Sequence, residues 1–233
     1  MTPSPLRKSN ADFDHNKSWQ YEEVGELYDA RRFQSRTGQR FHNAETRTIH
    51  ALLDKAEQSG PIRTAIDLPC GTGRISQIPA ERGYDLVCAD ISLPMLKASR
   101  KKLVALGRQA RFAGADIYKL PFQDDTFDCV SCIRLFQHLD DEESLKALKE
   151  LGRVSSRFVI VNFMYASGYY RIMRTLRQKT GRYAPRYAVT RTFLDNIEAK
   201  TGLKVHTAQL PQPLHSGNMV ILFESPNVSH GKS

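Results

Sequence analysis

The feature that most constrains this chain is a glycine-rich segment that follows a short apolar run, Ala65-Ile66-Asp67-Leu68-Pro69-Cys70-Gly71-Thr72-Gly73-Arg74. Gly71 and Gly73 permit tight turns of the backbone and the close approach of a ligand. A helix that begins after such a turn presents unbonded N–H groups at the positive end of its dipole. The segment therefore predicts a strand, a turn and a helix that bind a ligand carrying a carboxylate and a ribose. The alternative is an ordinary strand-to-helix turn, in which glycine is also common.

Two further acidic residues follow apolar, strand-like runs. Asp90 comes seventeen positions after Gly73, and the two oxygens of its carboxylate suit the two hydroxyls of a ribose. The alternative is that Asp90 only caps the helix that starts near Pro94. Asp116 ends the third run, where it is placed to accept a hydrogen bond from an adenine amino group while Ile117 packs on the ring.

Short apolar runs alternate with helical patterns, which predicts an α/β domain with a mostly parallel sheet of about seven strands and helices on both faces. The predicted strands cover residues 64–68, 86–91, 110–117, 127–135, 157–163, 203–210 and 219–224. The predicted helices cover residues 18–33, 41–57, 74–82, a segment opening at Ser92-Leu93-Pro94, 141–153, 168–179 and 192–201, with a break at Thr37-Gly38 and a helix end at Gly202.

The 233 residues fit one domain with short extensions. We expect a flexible N-terminus over 1–16, a helical segment over 17–40, the α/β domain over 41–225 and a disordered tail over 226–233. A basic helical insert over 165–190 is expected inside the domain. The cations that crowd into this part of the chain are Arg171, Arg174, Arg177, Lys179, Arg182, Arg186 and Arg191.

The composition excludes some classes of protein and leaves others open. With 40% hydrophobic and 25% charged residues, the chain is typical of a globular protein. No run approaches the roughly 18 apolar residues that cross a bilayer, and the N-terminus has no apolar signal core, so we expect a cytoplasmic protein without a membrane span. The net charge of +9 suits nucleic acid, a membrane surface or an acidic small substrate, and does not choose between them.

The four cysteines suit the same compartment, and two of them form the pair Cys129-x-x-Cys132. Such a pair raises the possibility of a zinc or redox site. In a strand, however, positions three apart point to opposite faces, and no second Cys/His pair stands at ligand spacing. We therefore expect no metal site.

Together these elements resemble the class I methyltransferases, in particular the small-molecule methyltransferases with a D-x-G-C-G-x-G motif. The similarity covers roughly residues 40–165, and the run from Asp116 to Leu139 resembles the group's third-strand, L-P-F and H-x-L signatures. The chain differs at Pro69, which stands where the group has its first glycine and which lacks an N–H. The resemblance implies a Rossmann-like methyltransferase domain with S-adenosyl-L-methionine as its cofactor.

The resemblance also implies roles for individual residues. The segment before the core, over residues 17–40, would fold over the cofactor as a lid, with Tyr28 or Arg32 reaching the methionine carboxylate. A solvated surface arginine is the alternative for Arg32. The implied cofactor-binding residues are Tyr28, Arg32, Asp67, Leu68, Pro69, Gly71, Gly73, Asp90, Ile91, Met95, Asp116, Ile117 and Arg134.

His138, after the fourth strand, is the candidate catalytic base, because the unperturbed pKa of an imidazole, about 6.5, suits proton removal. The alternative is that His138 only shapes the pocket, since a sulfonium is already a good electrophile and orientation supplies much of the rate.

The acceptor is expected to be a small anionic molecule that is methylated on O or N. Arginines three positions apart share a helix face, and their guanidinium groups match phosphate or carboxylate. A solvated basic face is the alternative. The expected acceptor-binding residues are Gln137, Tyr169, Arg171, Arg174 and Arg177.

The sequence also bears on three rival functions. A nicotinamide dehydrogenase is disfavoured because Ser76 replaces the third glycine of the G-x-G-x-x-G fingerprint. The turn from Arg134 to Gln137 lacks the [N/D]-P-P-[Y/F] sequence of enzymes that methylate base amines, yet an RNA methyltransferase that uses the basic insert stays open. A non-catalytic methyltransferase-like partner protein is disfavoured by the intact acidic residues.

Overall fold

The computed structural model describes residues 35–165, 187–211 and 217–227. Its helices are α1 (Arg36–Glu57), α2 (Gln77–Glu81), α3 (Leu93–Ala105), α4 (Asp141–Val154) and α5 (Arg191–Thr201). Its strands are β1 (Thr64–Asp67), β2 (Asp85–Asp90), β3 (Arg111–Gly114), β4 (Phe127–Cys132), β5 (Ser155–Met164), β6 (Lys204–Gln209) and β7 (Asn218–Glu224). Within the described ranges, no helix is both long enough and apolar enough to cross a membrane.

The seven strands form one sheet in the order β3-β2-β1-β4-β5-β7-β6. Neighbours from β3 to β5 pair in parallel, whereas β7 pairs antiparallel with both β5 and β6. The predicted α/β fold and mostly parallel sheet are confirmed. The chain runs outward from β1 to β3 and then returns to the other side of β1 for β4. A topological switch point therefore lies between β1 and β4, where open sheets bind ligands at the carboxyl ends of their strands.

Two apolar cores, one on each face of the sheet, hold the layers together. One contains Leu148 and Leu151 of α4 with Phe193 of α5. The other contains Leu52 of α1 and Leu103 of α3. Complete burial of each such side chain stabilises the fold by about 1.5–3 kcal/mol, so the strand ends project from a rigid frame.

Strand β4 carries its two cysteines into different cores. Cys129 packs with the helices α1 and α3, whereas Cys132 packs with α4 and α5. Both thiols are free and buried. The opposite orientation expected from their spacing is confirmed, and it separates the two sulfurs by the thickness of the sheet.

Helix α1 begins earlier than predicted, at Arg36 instead of residue 41, so the expected break at Thr37-Gly38 is wrong. Ser35 is the N-cap, and its Oγ accepts a hydrogen bond from Gly38 N at 3.0 Å. The cap satisfies an amide of the first turn, which lets a glycine stand there. The predicted helices at 18–33 and 168–179, the segment 1–16 and most of the tail lie outside the described residues.

Two predicted strands are too long, because β3 ends at Gly114 and β4 ends at Cys132. Arg134 has a φ of 75°, a left-handed conformation that a strand does not contain. After β3 the backbone turns, and Asp116 Oδ1 accepts a hydrogen bond from Tyr118 N at 3.0 Å. Asp116 and Arg134 therefore lie on turns at the carboxyl edge of the sheet.

The close contact between Gly73 and α3 generates a test of the fold. Gly73 has a φ of +77°, and a Cβ there would lie 2.6 Å from Ser99 Oγ and 3.1 Å from Ser99 Cα. We expect Gly73→Ala to lower the free energy of unfolding by roughly 2–4 kcal/mol in urea titrations, because strain and a steric clash combine. Gly107→Ala is the matched control, since Gly107 has a φ of +64° but open space around its Cβ. Equal losses in the two variants would contradict the packing argument.

Candidate functional site

Three adjacent strand ends form the centre of the candidate site. Strand β1 lies between β2 and β4 and is in register with both. Their last residues are Asp67 in β1, Asp90 in β2 and Cys132 in β4. The turns that follow these strands therefore lie side by side at the switch point of the sheet.

Asp67 anchors the glycine-rich turn. Both of its carboxylate oxygens accept hydrogen bonds from hydroxyl groups, from Ser76 Oγ at 2.6 Å and from Ser131 Oγ at 2.8 Å. Burial raises the pKa of Asp67 to about 6, although the two hydroxyl groups act in the opposite direction. The carboxylate ties the two ends of the turn to each other and to β4, and a direct contact between Asp67 and a ligand stays a prediction.

The backbone of this turn is open to a ligand at one position. Cys70 N donates to Ala89 O of β2 at 2.8 Å, which fixes the turn against its neighbour. The peptide bond before Pro69 is cis. Gly71 has a φ of +52°, and a Cβ there would meet no atom within 4 Å. A ligand has room to approach the main chain closely at Gly71.

Asp90 holds the same turn from the other side. Its Oδ2 accepts from Gly71 N at 2.9 Å and its Oδ1 accepts from Ser92 N at 2.9 Å. Burial raises the pKa of Asp90, and these backbone bonds oppose that effect. The cap of α3 is Ser92, whose Oγ accepts from Met95 N at 3.4 Å, so the alternative role of Asp90 as the helix cap is wrong. Since a carboxylate oxygen can accept two hydrogen bonds and each oxygen of Asp90 accepts one here, Asp90 retains capacity for two hydroxyl groups.

Apolar side chains stand exposed beside Asp90. Ile91 is 74% exposed and Leu93 is 66% exposed. Beyond the end of β3, Asp116 is exposed and Ile117 is half-buried. A carboxylate for hydroxyl groups, an exposed apolar side chain and a second carboxylate fit the chemistry of an adenosine.

Glu45 of α1 is a site residue that sequence analysis missed. It is fully buried, and its carboxylate is shared by arginines from two different turns. Arg74 Nη2 lies 2.7 Å from Oε2, and Arg134 Nε lies 3.0 Å from Oε1. Burial by itself would raise the pKa of Glu45, but the two guanidinium groups outweigh burial and lower that pKa. The ionised carboxylate therefore joins the turn after β1 to the turn after β4.

Other contacts hold this network in place. Asn218 Nδ2 of β7 donates to Glu45 Oε1 at 3.3 Å. The guanidinium carbon of Arg134 lies 4.3 Å from the centre of the Phe41 ring, and Asn162 Oδ1 accepts from the backbone N of Arg134. Arg134, which was predicted to bind the cofactor, is thus held by α1 and by β5, and Glu45 links it to β7.

One feature of the sequence indicated that Glu45 is buried next to a cation. The residue lies four positions before Ile49 and seven before Leu52, on the apolar face of α1. An acidic residue at such a position is buried and needs a cationic partner. The two arginines are distant in the sequence, so the fold was needed to identify them.

The turn after β4 ends in a 3-10 turn, Phe136–His138, which brings two predicted residues together. Gln137 is 2% exposed. Its Nε2 donates to Arg134 O at 3.2 Å and lies 3.0 Å from His138 Nε2. The roles of Gln137 in acceptor binding and of His138 in proton transfer stay predictions.

The remaining predicted residues divide into two groups. Leu68 and Met95 are buried, so they support the turns from within the core. The others, Tyr28, Arg32, Tyr169, Arg171, Arg174 and Arg177, lie outside the described residues.

A family model described as a methyltransferase domain matches residues 65–157. The chain is 38% identical over 125 residues to the demethylmenaquinone methyltransferase of Thermus thermophilus, over 52% of this chain and 56% of that protein. It is 32% identical over 168 residues to the demethylmenaquinone methyltransferase of Streptomyces avermitilis, over 71% of this chain and 66% of that protein. The chain thus spans between half and two thirds of the length of these curated relatives.

Solved structures share the fold. Magnesium protoporphyrin IX methyltransferase from Synechocystis PCC 6803 with bound SAH aligns with a TM-score of 0.75 and 17% identity, over 91% of this chain and 99% of that chain. The PH0226 protein from Pyrococcus horikoshii OT3 aligns with a TM-score of 0.65 and 20% identity, over 88% of this chain and 99% of that chain. The described architecture therefore recurs among proteins of very different sequence.

The Glu45 network generates a second test. Glu45→Gln would leave two largely buried guanidinium groups without a negative charge beside them. Breaking a buried ion pair in this way lowers the free energy of unfolding by about 3–5 kcal/mol. We expect a loss of that order in the free energy of unfolding, measured in urea. Glu142→Gln is the control, because the Glu142–Lys146 pair is exposed and should contribute little. A Glu45→Gln protein as stable as the control would show that the network is dispensable.

Proposed function

Because the chain belongs to the class I S-adenosylmethionine-dependent methyltransferases, we propose that it transfers a methyl group directly to an O or N atom of a small anionic acceptor. The observation that carries the proposal is the pairing of Asp90 with the amide of Gly71 at the switch point. One carboxylate there holds the glycine-rich turn and still offers lone pairs to a ribose. Open main chain at Gly71 and exposed Ile91 lie next to it.

The residues present fit the cofactor. When bound, S-adenosylmethionine supplies an electrophilic methyl group on a sulfonium. Asp90 would accept hydrogen bonds from its ribose hydroxyls, Ile91 would cover one face of its adenine, and Asp116 would accept from the adenine amino group. The open backbone at Gly71 would lie against the remainder of the cofactor.

The acceptor side of the site is the turn that contains Arg134, Gln137 and His138. It lies beside the cofactor turn because β4 pairs with β1, and Glu45 fixes the two turns relative to each other. Such fixed placement is what a direct displacement needs, since orientation of the nucleophile against the methyl carbon supplies much of the acceleration.

Relatives support a small ring compound as the acceptor. Four of them are named for demethylmenaquinone. A relative from Idiomarina loihiensis is named as an O-methyltransferase of ubiquinone biosynthesis, whereas relatives from Teredinibacter turnerae and Citrobacter koseri are named as C-methyltransferases of ubiquinone and menaquinone biosynthesis. Arg171, Arg174 and Arg177 support an anionic group on that acceptor. An RNA acceptor and a non-catalytic role are the competing functions.

The cofactor part of the proposal is tested with Asp90→Ala. Loss of a charge-assisted hydrogen bond costs about 1.5–3 kcal/mol, so we expect S-adenosylhomocysteine to bind about 10- to 100-fold more weakly in isothermal titration. Asp85→Ala is the control, because Asp85 lies at the opposite end of β2 and pairs with Arg111 at the surface. Equal affinity of a folded Asp90→Ala protein and the wild type would remove Asp90 from the cofactor site.

The acceptor part is tested by methyl transfer from labelled S-adenosylmethionine. The panel contains 1,4-dihydroxy-2-naphthoate, 3,4-dihydroxybenzoate, a sugar phosphate and total RNA. We expect transfer to an anionic small molecule, reduced about tenfold or more in an Arg171/Arg174/Arg177→Ala variant, because each guanidinium contributes charge-assisted hydrogen bonds.

The matched control for that variant is Lys101/Lys146/Lys200→Ala, which removes the same charge from exposed positions. Full activity of the arginine variant would contradict the anionic acceptor. Transfer to RNA alone would favour the RNA methyltransferase, and binding of the cofactor without any transfer would favour the non-catalytic partner.

A further inference from the structure

The contact between Gln137 and His138 indicates which ring nitrogen of His138 carries a proton. The two nitrogens Gln137 Nε2 and His138 Nε2 lie 3.0 Å apart. An amide nitrogen only donates hydrogen bonds, so this contact requires His138 Nε2 to be the acceptor. An imidazole that accepts at Nε2 carries no proton there.

The orientation of the Gln137 amide decides whether that reasoning holds, because the oxygen and the nitrogen of an amide are easily exchanged. Gln137 Nε2 also lies 3.2 Å from the carbonyl oxygen of Arg134. The reversed amide would place Gln137 Oε1 against that carbonyl, which brings two acceptors together without a hydrogen. The orientation with Nε2 between Arg134 O and His138 Nε2 uses both amide hydrogens.

In this orientation the amide oxygen of Gln137 is not used by either contact. Gln137 Oε1 is buried, and it has no hydrogen-bond partner among the described residues. Buried acceptors without a partner are rare in folded proteins and need an explanation, such as a ligand or an ordered water. This oxygen belongs to the turn on the acceptor side of the site.

We propose that Gln137 is a positioning residue that holds His138 as a neutral imidazole protonated on Nδ1, so that the turn after β4 offers the methyl acceptor an amide oxygen and no general base. The proposal rests on the proposed methyl transfer. Gln137 Oε1 accepts a hydrogen bond from an O–H or N–H of the acceptor. An amide oxygen does not take up the proton, so that proton passes to water.

The tautomer of His138 is measured directly by nitrogen-15 NMR of the full chain labelled at histidine, with the His138 signals assigned by their loss in His138→Gln. We expect a protonated Nδ1 and an unprotonated Nε2 near neutral pH. Gln137→Met keeps the size of the side chain but has no donor, so the two tautomers of His138 should become mixed. Gln123→Met, at an exposed position, should leave the His138 signals unchanged.

A wild-type His138 that carries its proton mainly on Nε2, or that does not respond to Gln137→Met, would overturn the proposal. This measurement needs no turnover, so it distinguishes failure of the proposal from failure of the proposed function.

Activity gives a second readout, with 1,4-dihydroxy-2-naphthoate as the acceptor probe. His138→Gln places an oxygen acceptor where Nε2 was, so it should lower the rate by clearly less than the about 10²- to 10⁴-fold that loss of a true base costs. His138→Asn has no acceptor at that position and should lower the rate more than His138→Gln. A loss of about 100-fold in His138→Gln, with S-adenosylhomocysteine bound as in the wild type, would show that His138 is a base.

Discussion

A single ionised carboxylate, that of Glu45, is the interaction on which the arrangement of the site depends. Taking a carboxylate out of water costs several kcal/mol unless cations and hydrogen bonds replace the solvent. Here Arg74 and Arg134 supply the charge and Asn218 supplies a further donor. Because the two arginines belong to different turns, the requirement to neutralise one buried charge also fixes the distance between the turn after β1 and the turn after β4.

The acidic residues of the site show how surroundings set the state of a carboxyl group. Glu45 faces two cations, and its pKa is lowered despite burial. Burial raises the pKa of Asp67 to about 6, because the hydrogen bonds from two hydroxyl groups offset only part of its effect. Asp90 receives them from backbone amides, and its pKa is also raised by burial. The three carboxyl groups therefore have different roles. Glu45 joins two turns, Asp67 anchors the glycine-rich turn from within, and Asp90 retains lone pairs that a ligand can use.

Much of the fold and part of the site were predictable, because the signals lie close together in the sequence. Strand β1, the glycines and Asp67 form one continuous segment, and Ser92 with Pro94 marks the start of α3. The predicted bounds of β4 and α1 were wrong because backbone conformation and capping, and not the local pattern of apolar residues, set those bounds. The left-handed backbone at Arg134 shortens β4, and a cap by Ser35 moves the start of α1.

The Glu45 network could not be predicted in the same way. Its members come from α1, two turns and β7, so no local window of the sequence contains more than one of them. Periodicity identifies the apolar face of α1, but not what lies opposite it. A buried charge on such a face indicates that partners exist, and only the packing of the helix on the sheet identifies which residues they are.

The two cysteines of β4 have a consequence of their own. Burial raises the pKa of Cys129 to about 12 and also raises that of Cys132, so neither thiol becomes a reactive thiolate at neutral pH. Because they lie in different cores, a disulfide between them requires the sheet to come apart. The rate at which an oxidant links Cys129 to Cys132 would therefore report how often β4 separates from the sheet. The crosslinked product would accumulate only from molecules in which this central strand has left its neighbours.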